Sequence, residues 1–273
     1  MAAVPISIPN LPFYPKRLNI AIILQIKYII EMFSNYPQVV VNWLSDLIFP
    51  VRCIGCGKFR DYICRGCLGF MSVKKTFECI GCKRNTPFGQ TCFLCAKTNS
   101  VDQLLIVADY KDPLVEKSLK FLKYRFISDL ERPLSVLMKK YLKWLTLDKK
   151  FNVFEAGPLL VPVPLHLRRL NWRGFNQSEL LAKKLADTFQ MEMAGDVIER
   201  AGNAIPQADI KEREERLKNM NGIFRIKNGN KLTGREVLLI DDVCTTGATL
   251  NECAKVLKEN GATKVIALVV ARG

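Results

Sequence analysis

Two acidic residues at the end of an apolar run, and eight cysteines in regular pairs, are the parts of this chain best suited to chemistry. The run Val237-Leu238-Leu239-Ile240 leads into Asp241 and Asp242 and then into Val243-Cys244-Thr245-Thr246-Gly247-Ala248-Thr249. A short continuous apolar run reads as a buried strand, and the small hydroxyl-bearing residues behind it open a helix over 248–259. Backbone N–H groups and hydroxyls at a helix N-terminus hold a phosphate dianion with help from the helix dipole, and Gly247 lets the backbone come close. Acids at the carboxyl end of a strand in an open parallel sheet can accept hydrogen bonds from two ribose hydroxyls. Phosphate and carboxylates repel one another. The pattern is coherent when a ligand gives its phosphate to residues Cys244, Thr245, Thr246, Gly247, Ala248 and Thr249 and its sugar to Asp241 and Asp242, with Mg²⁺ on an adjoining pyrophosphate. An ordinary strand–turn–helix with capping threonines accounts for Thr245 and Thr246 but not for the acids.

A second stretch, Val161-Pro162-Val163-Pro164-Leu165-His166-Leu167-Arg168-Arg169-Leu170-Asn171-Trp172-Arg173-Gly174-Phe175-Asn176-Gln177, leaves a strand into a basic loop and then begins a helix. Arg168, Arg169 and Arg173 suit a pyrophosphate clamp, because the planar guanidinium fork matches phosphate oxygens. A Ser-His-Asp mechanism would rest wholly on His166, the one histidine in the chain, which reads as an exposed loop side chain. A reaction that passes through a sugar cation would call for pyrophosphate stabilisation and positioning rather than a strong nucleophile.

Eight of the ten cysteines form four Cys-x-x-Cys pairs: Cys53/Cys56, Cys64/Cys67, Cys79/Cys82 and Cys92/Cys95. Eight thiolates suffice for two tetrahedral Zn²⁺ sites, and all-cysteine coordination leaves no open position, so these read as structural sites. Sequential pairing closes loops of seven and nine residues between knuckles and carries the lower entropy cost; a cross-braced pairing is the alternative. Such metal use implies a reducing compartment, the cytosol. Residues 50–100 hold nine Lys/Arg and two acids, a surplus of seven that falls to about three once eight thiolates bind two dications. With Phe59, Tyr62, Phe70, Phe77, Phe88 and Phe93 interspersed, the module suits phosphate contacts and base stacking on single-stranded DNA. Small cores around the metals are the other use for those rings. Cys244 and Cys253 stand outside the pairs, as a loop thiol and a small core residue.

The elements that position these groups follow from periodicity. Strands are predicted over 104–108, 159–163, 237–240 and 264–270, and helices over 113–124, 133–145, 177–189 and 248–259. Apolar strands alternating with helices imply an α/β fold with a parallel sheet covered on both faces. Residues 201–222 are charged and aperiodic, and read as a long closing loop with one polar helix that excludes water. The 273 residues divide into an N-terminal extension (1–42), a double zinc ribbon (43–99) and an α/β domain (100–273). The apolar run 20–30 is broken by Gln25 and Lys27, too short and too polar for a membrane span, and reads as a helix. With 41 Lys+Arg against 26 Asp+Glu, the +15 charge favours polyanionic partners.

The stretch 237–249 resembles the 5-phosphoribosyl-1-pyrophosphate motif of type I phosphoribosyltransferases. Together with the four cysteine pairs, the run Arg173-Gly174-Phe175-Asn176-Gln177, the pair Lys123-Tyr124, and Gln207, Arg216, Asn219 and Phe224, the chain from about Trp43 onward resembles the ComF family of competence-associated proteins. That resemblance implies a zinc module ahead of a phosphoribosyltransferase-type domain and a link to DNA uptake, with single-stranded DNA and DNA-uptake proteins as partners. Two readings of function stand: a Mg²⁺-dependent phosphoribosyltransferase, or a DNA-handling accessory protein whose phosphoribosyl pocket senses a ligand. Residues 1–42 have no counterpart in the family pattern, and translation from Met32 or nearby would account for them.

Overall fold

The computed structural model describes residues 50–149, 151–200 and 222–273. The helix expected over 20–30, the start at Met32, the closing loop, and Gln207, Arg216 and Asn219 lie outside these residues.

Four parallel strands make the central sheet in the spatial order β1 (Gln103–Asp109), β6 (Lys264–Arg272), β5 (Glu236–Cys244), β2 (Leu159–Pro162). Successive residues of each strand point to opposite faces, so each face carries its own core. Leu105, Val107, Leu238, Ile240, Ile266 and Leu268 pack on one face against α3 (Pro113–Tyr124), α4 (Glu131–Lys149) and α6 (Gln177–Phe189). Leu104, Ile106, Val237, Leu239, Val265 and Ala267 pack on the other against α7 (Ala248–Glu259) and a hairpin of β3 (Ile198–Arg200) and β4 (Phe224–Ile226). Strands buried on both faces are apolar throughout, the pattern expected of a parallel sheet.

Helix α3 shows how local sequence sets an element that the site needs. Asp112 caps it, its Oδ1 accepting from Leu114 N at 2.8 Å and Val115 N at 3.2 Å, and Pro113 sits at the first position, where no donor is lost. Val115, Leu119 and Leu122 form its buried stripe, each worth about 1.5–3 kcal/mol of burial. Helix α4 begins at Glu131, two residues ahead of the expected start, because Pro133 falls in its first turn and is tolerated there; it also runs on past residue 145 to Lys149.

The cysteine-rich segment does not stand apart. Two short helices start inside its second and fourth knuckles, α1 (Arg65–Phe70) capped by Cys64 and carrying Cys67, and α2 (Phe93–Ala96) capped by Cys92 and carrying Cys95. Ile63 and Met71 from its first half enter one core and Ile80 from its second half enters the other. No helix of the described residues is long and apolar enough to cross a membrane.

Candidate functional site

Strand β2 ends its pairing with β5 at Pro162, opposite Ile240, with Val163 N donating to Ile240 O at 2.9 Å. Strand β5 continues through Asp241 and Asp242 to Cys244, four residues beyond its expected end, with only β6 beside it. The helices that follow β2 and β5 lie on opposite faces, α6 with one core and α7 with the other. Adjacent strands whose helices part in this way open a crevice at the carboxyl edge of the sheet, the usual ligand position of open α/β folds.

Both acids are buried in that crevice, 8 % and 2 % exposed. Asp241 Oδ1 accepts from Ser178 Oγ at 2.8 Å and from Asp242 N at 2.9 Å. Burial, reinforced by the charge of Asp242, pushes the Asp241 carboxyl up to about 7, against the opposing pull of Lys123 and Ser178. Asp242 Oδ1 lies 3.0 Å from Lys123 Nζ, while its Oδ2 is buried with no hydrogen-bond partner among the described residues. The two acids hold the Lys123 ammonium pKa above its ordinary value despite the opposing effect of burial.

Beyond the acids, Cys244 closes β5 as a buried residue rather than a loop thiol, and burial pushes its thiol up to about 11. Thr245 is exposed, Thr246 is half-buried and its Oγ1 accepts from Ala248 N at 3.3 Å, and Thr249 is half-buried in the first turn of α7. Gly247 is the N-cap of α7 at φ +86°, a conformation that glycine adopts without cost. The expected phosphate-binding residues are therefore contiguous at one helix N-terminus beside the acids.

The basic loop is instead a helix, α5 (Leu167–Arg173). His166 caps it, its Nδ1 accepting from Arg168 N at 3.1 Å, so the lone histidine holds backbone. Arg168 and Arg169 are exposed, whereas Arg173 is buried and donates to Gln177 Oε1 at 2.5 Å. The run 173–177 is a corner between helices: Gly174 ends α5 at φ +81°, and Asn176 caps α6 through Ser178 N while donating to Val163 O at 3.1 Å. Trp172 meets Phe126 edge-on, ring centroids 4.7 Å apart, which joins α5 to the chain just past Lys123.

Lys123 and Ser178 are the functional candidates that residue chemistry missed. Lys123 enters only through the Lys123-Tyr124 pair of the family resemblance, with no role attached; its place beside Leu122 and four residues after Leu119, a cation at the edge of an apolar stripe, is the further signal. Ser178 carried no signal beyond its place in the first turn of α6. A cleft of about 590 Å³ opens between α6 and residues 190–195, and none of the phosphoribosyl candidates lines it.

The cysteines gather in sequential order. The sulfurs of Cys53, Cys56, Cys64 and Cys67 lie within 4.8 Å of one another, as do those of Cys79, Cys82, Cys92 and Cys95. A tetrahedral ion with Zn–S bonds of about 2.3 Å needs sulfurs roughly 3.8 Å apart. Cys56 and Cys64 sulfurs are 3.6 Å apart and those of Cys82 and Cys92 3.8 Å, so both sets fit such an ion. Burial works to raise the Cys53 and Cys79 thiols, but backbone N–H groups, from Cys64 to Cys53 and from Cys82 and Cys92 to Cys79, outweigh it and bring each down to about 6. A Cβ on Gly81 would stand 2.6 Å from Cys95 Sγ, so the third knuckle, Cys79/Cys82, closes only around glycine. The module's aromatics divide. Phe77 stacks on Trp144 and Phe88 on Phe151, which docks the module on the α/β body, whereas Phe59, Phe70 and Phe93 are 56 %, 87 % and 81 % exposed.

Residues 176–273 match the phosphoribosyl transferase domain model. The chain is 26 % identical over 231 residues to Competence protein F of Haemophilus influenzae, covering 78 % of this chain and 98 % of that one. It is 32 % identical over 163 residues to the DNA utilization protein YhgH of Escherichia coli K12, covering 60 % of this chain and 69 % of the relative. The chain belongs to the ComF family. Competence protein ComFC of Bacillus subtilis is a further relative, 30 % identical over 208 residues, covering 74 % of this chain and 80 % of ComFC. The match bears out the resemblance to the ComF family, and the phosphoribosyl transferase domain match spans the acid pair and its loop.

Proposed function

We propose that the crevice binds 5-phosphoribosyl-1-pyrophosphate or a related nucleotide with Mg²⁺ and that the chain acts as a phosphoribosyltransferase serving DNA uptake in the cytoplasm. One observation carries this reading: the buried acids Asp241 and Asp242 lead directly into an α7 N-terminus at the point where β2 and β5 part. The residues fit the ligand in turn. The loop 244–249 offers N–H groups and hydroxyls to a phosphate, and the acids, one with an unpartnered oxygen, offer acceptors to ribose hydroxyls. Arg168, Arg169 and Arg173 are the cations for pyrophosphate, whose charge Mg²⁺ would lower. Zn²⁺ in the two cysteine groups would supply folding free energy that so small a segment lacks. Calorimetric titration of 5-phosphoribosyl-1-pyrophosphate with Mg²⁺ tests the reading. Micromolar binding, lost in Asp241→Asn/Asp242→Asn, is expected; no binding to a folded, metal-loaded chain would remove it.

The exposed rings favour a second activity on the same chain. Phe59 lies under the Arg52 guanidinium at 4.3 Å and Phe93 under the Lys97 ammonium at 5.4 Å, which pairs stacking faces with phosphate-seeking charges. The names of the relatives, competence and DNA utilization, agree with a single-stranded DNA ligand there. A gel shift that weakens steeply with salt and disappears in Phe59→Ala/Phe93→Ala is the expected result, and unchanged mobility at low salt excludes it.

A further inference from the structure

We infer that the second cysteine group, Cys79, Cys82, Cys92 and Cys95, is a working part of the phosphate-binding loop, with Ile80 and Arg272 as the positioning residues that couple them. The inference rests on the reading of loop 244–249 as the phosphate site and of the cysteines as metal ligands.

Ile80 lies inside the third Cys-x-x-Cys pair, between two of the four ligand candidates, and is fully buried. Its side chain meets the loop itself: a Cβ added to Gly247 would stand 2.9 Å from Ile80 Cγ1 and 3.1 Å from its Cδ1. The knuckle therefore forms the floor beneath the one loop residue whose backbone is left-handed. Arg272, at the end of β6 and 8 % exposed, secures this floor from the sheet. Its Nη1 donates to Cys79 O at 3.1 Å and to Glu78 Oε1 at 2.9 Å, and its Nη2 donates to Ile80 O at 2.6 Å. The next residue returns to the loop, Gly273 N donating to Cys244 O at 3.0 Å.

The far side of the same cysteine group holds the other side of the loop. The chain leaving Cys95 reaches Ser100, whose N donates to Asn251 Oδ1 at 2.5 Å, and Asn251 N in turn donates to Gly247 O at 2.8 Å, the first hydrogen bond of α7. Gly247 is thus held between Ile80 of one knuckle and the chain leaving the next. Convergence of Cys79, Cys82, Cys92 and Cys95 ties these two supports to one another. The first group, Cys53 to Cys67, has a different neighbour: Lys117 Nζ of α3 donates to Ile54 O at 2.8 Å, and Leu114 of α3 packs beside Gly55. Losing metal from the second group should loosen residues 244–251 selectively, while losing it from the first should spare them.

Hydrogen exchange on the full chain tests this without any ligand. Cys82→Ser/Cys92→Ser and Cys56→Ser/Cys64→Ser remove exposed or half-buried ligands from one group each, with metal content read by native mass spectrometry. Amide exchange in 244–251 is expected to rise at least tenfold in the first double variant and less than twofold in the second. Equal effects, or none, overturn the coupling. Ile80→Ala keeps every cysteine and guards against a variant that merely unfolds. It is expected to retain both metals, to raise exchange in the same segment, and to weaken 5-phosphoribosyl-1-pyrophosphate binding at least tenfold, with Ile80→Val restoring most of the loss. Ile80→Ala with wild-type exchange in 244–251 would also overturn it. Absence of ligand binding in the wild type, with the exchange difference intact, removes the phosphoribosyl reading and leaves the coupling standing.

Discussion

Replacing Asp241 by Asn should make the protein more stable at neutral pH, by an amount that grows with pH. Burial and the neighbouring Asp242 push the Asp241 carboxyl up to about 7 in the folded chain, whereas an unfolded aspartate titrates near 3.9. Between those values the folded state holds a proton that the unfolded state has released. An acid with a raised folded pKa therefore costs no stability below about pH 4, costs increasingly more as pH rises, and reaches its full cost above about 7. A gap of about three pH units corresponds to about 4 kcal/mol, at 1.36 kcal/mol for each, as the ceiling of the effect. Asn is neutral at every pH and keeps an oxygen to accept from Ser178 Oγ and Asp242 N. Guanidinium unfolding of the two proteins at pH 5, 6, 7 and 8 should show a stability difference that widens by roughly 1 kcal/mol for each pH step up to 7 and then levels off. Release of metal at low pH affects both proteins alike and drops out of the difference. A difference that stays constant with pH, or an Asn variant less stable at pH 8, would refute the reasoning.

Ligand affinity should carry the same titration. If ribose hydroxyls donate to Asp241, binding of 5-phosphoribosyl-1-pyrophosphate should weaken by up to about tenfold per pH unit below 7, and a titration of Asp241→Asn should lack that dependence while keeping the ligand's own. Lys123→Met strips the one cation among the described residues within ion-pair distance of Asp242, whose side chain is 2 % exposed; a loss of about 2–3 kcal/mol in denaturant melts is expected, less than for a fully buried pair because Lys123 is a quarter exposed. Adding Asp242→Asn to that variant should recover most of it, since the double change leaves no buried unpaired charge. Gly247→Ala places a side chain at φ +86° against Ile80 and should cost about 2 kcal/mol in thermal melts together with all measurable ligand binding.

Elements whose buried faces are mainly apolar were legible from periodicity alone. Helices α3, α6 and α7 occupy the spans predicted for them, because Val115, Leu119 and Leu122 and their counterparts recur at helical spacing on a stripe that the sheet buries. Strand β5 was underestimated at its carboxyl end because two carboxylates interrupt the apolar run, and it is the pairing with β6 that carries the strand through them. Helix α5 left no trace: its Leu167 and Trp172 are two-thirds exposed, so it has no buried stripe to read, and its start depends on a cap by His166. The hairpin of β3 and β4 joins three-residue strands across a long separation in the chain, which no local pattern encodes. The acid pair and the loop could be found in the sequence because one strand–turn–helix holds them all. Lys123 and Ser178 reach them from α3 and α6, and only tertiary packing brings those helices to the crevice.

That difference bears on why the cysteine module and the α/β body form one unit. The groups that the crevice needs come from two helices on opposite faces of the sheet: α3 delivers Lys123 to the acids, and α7 presents its N-terminus to a phosphate. Each half of the module rests against one of them, Ile54 and Gly55 beside α3 and Ile80 beneath Gly247. A four-stranded sheet sets the two helices on either side but does not by itself fix the last turn of one relative to the first turn of the other. Displacements of about 1 Å at such positions cost binding and positioning heavily. Knuckles held by metal would be stiff for their size; the second group meets the first turn of α7, which faces the phosphate, whereas the first meets α3 at Leu114 and Lys117, at the end away from Lys123. The module is accordingly better understood as part of the crevice floor at Ile80 than as an appendage to it, while Phe59, Phe70 and Phe93 remain exposed.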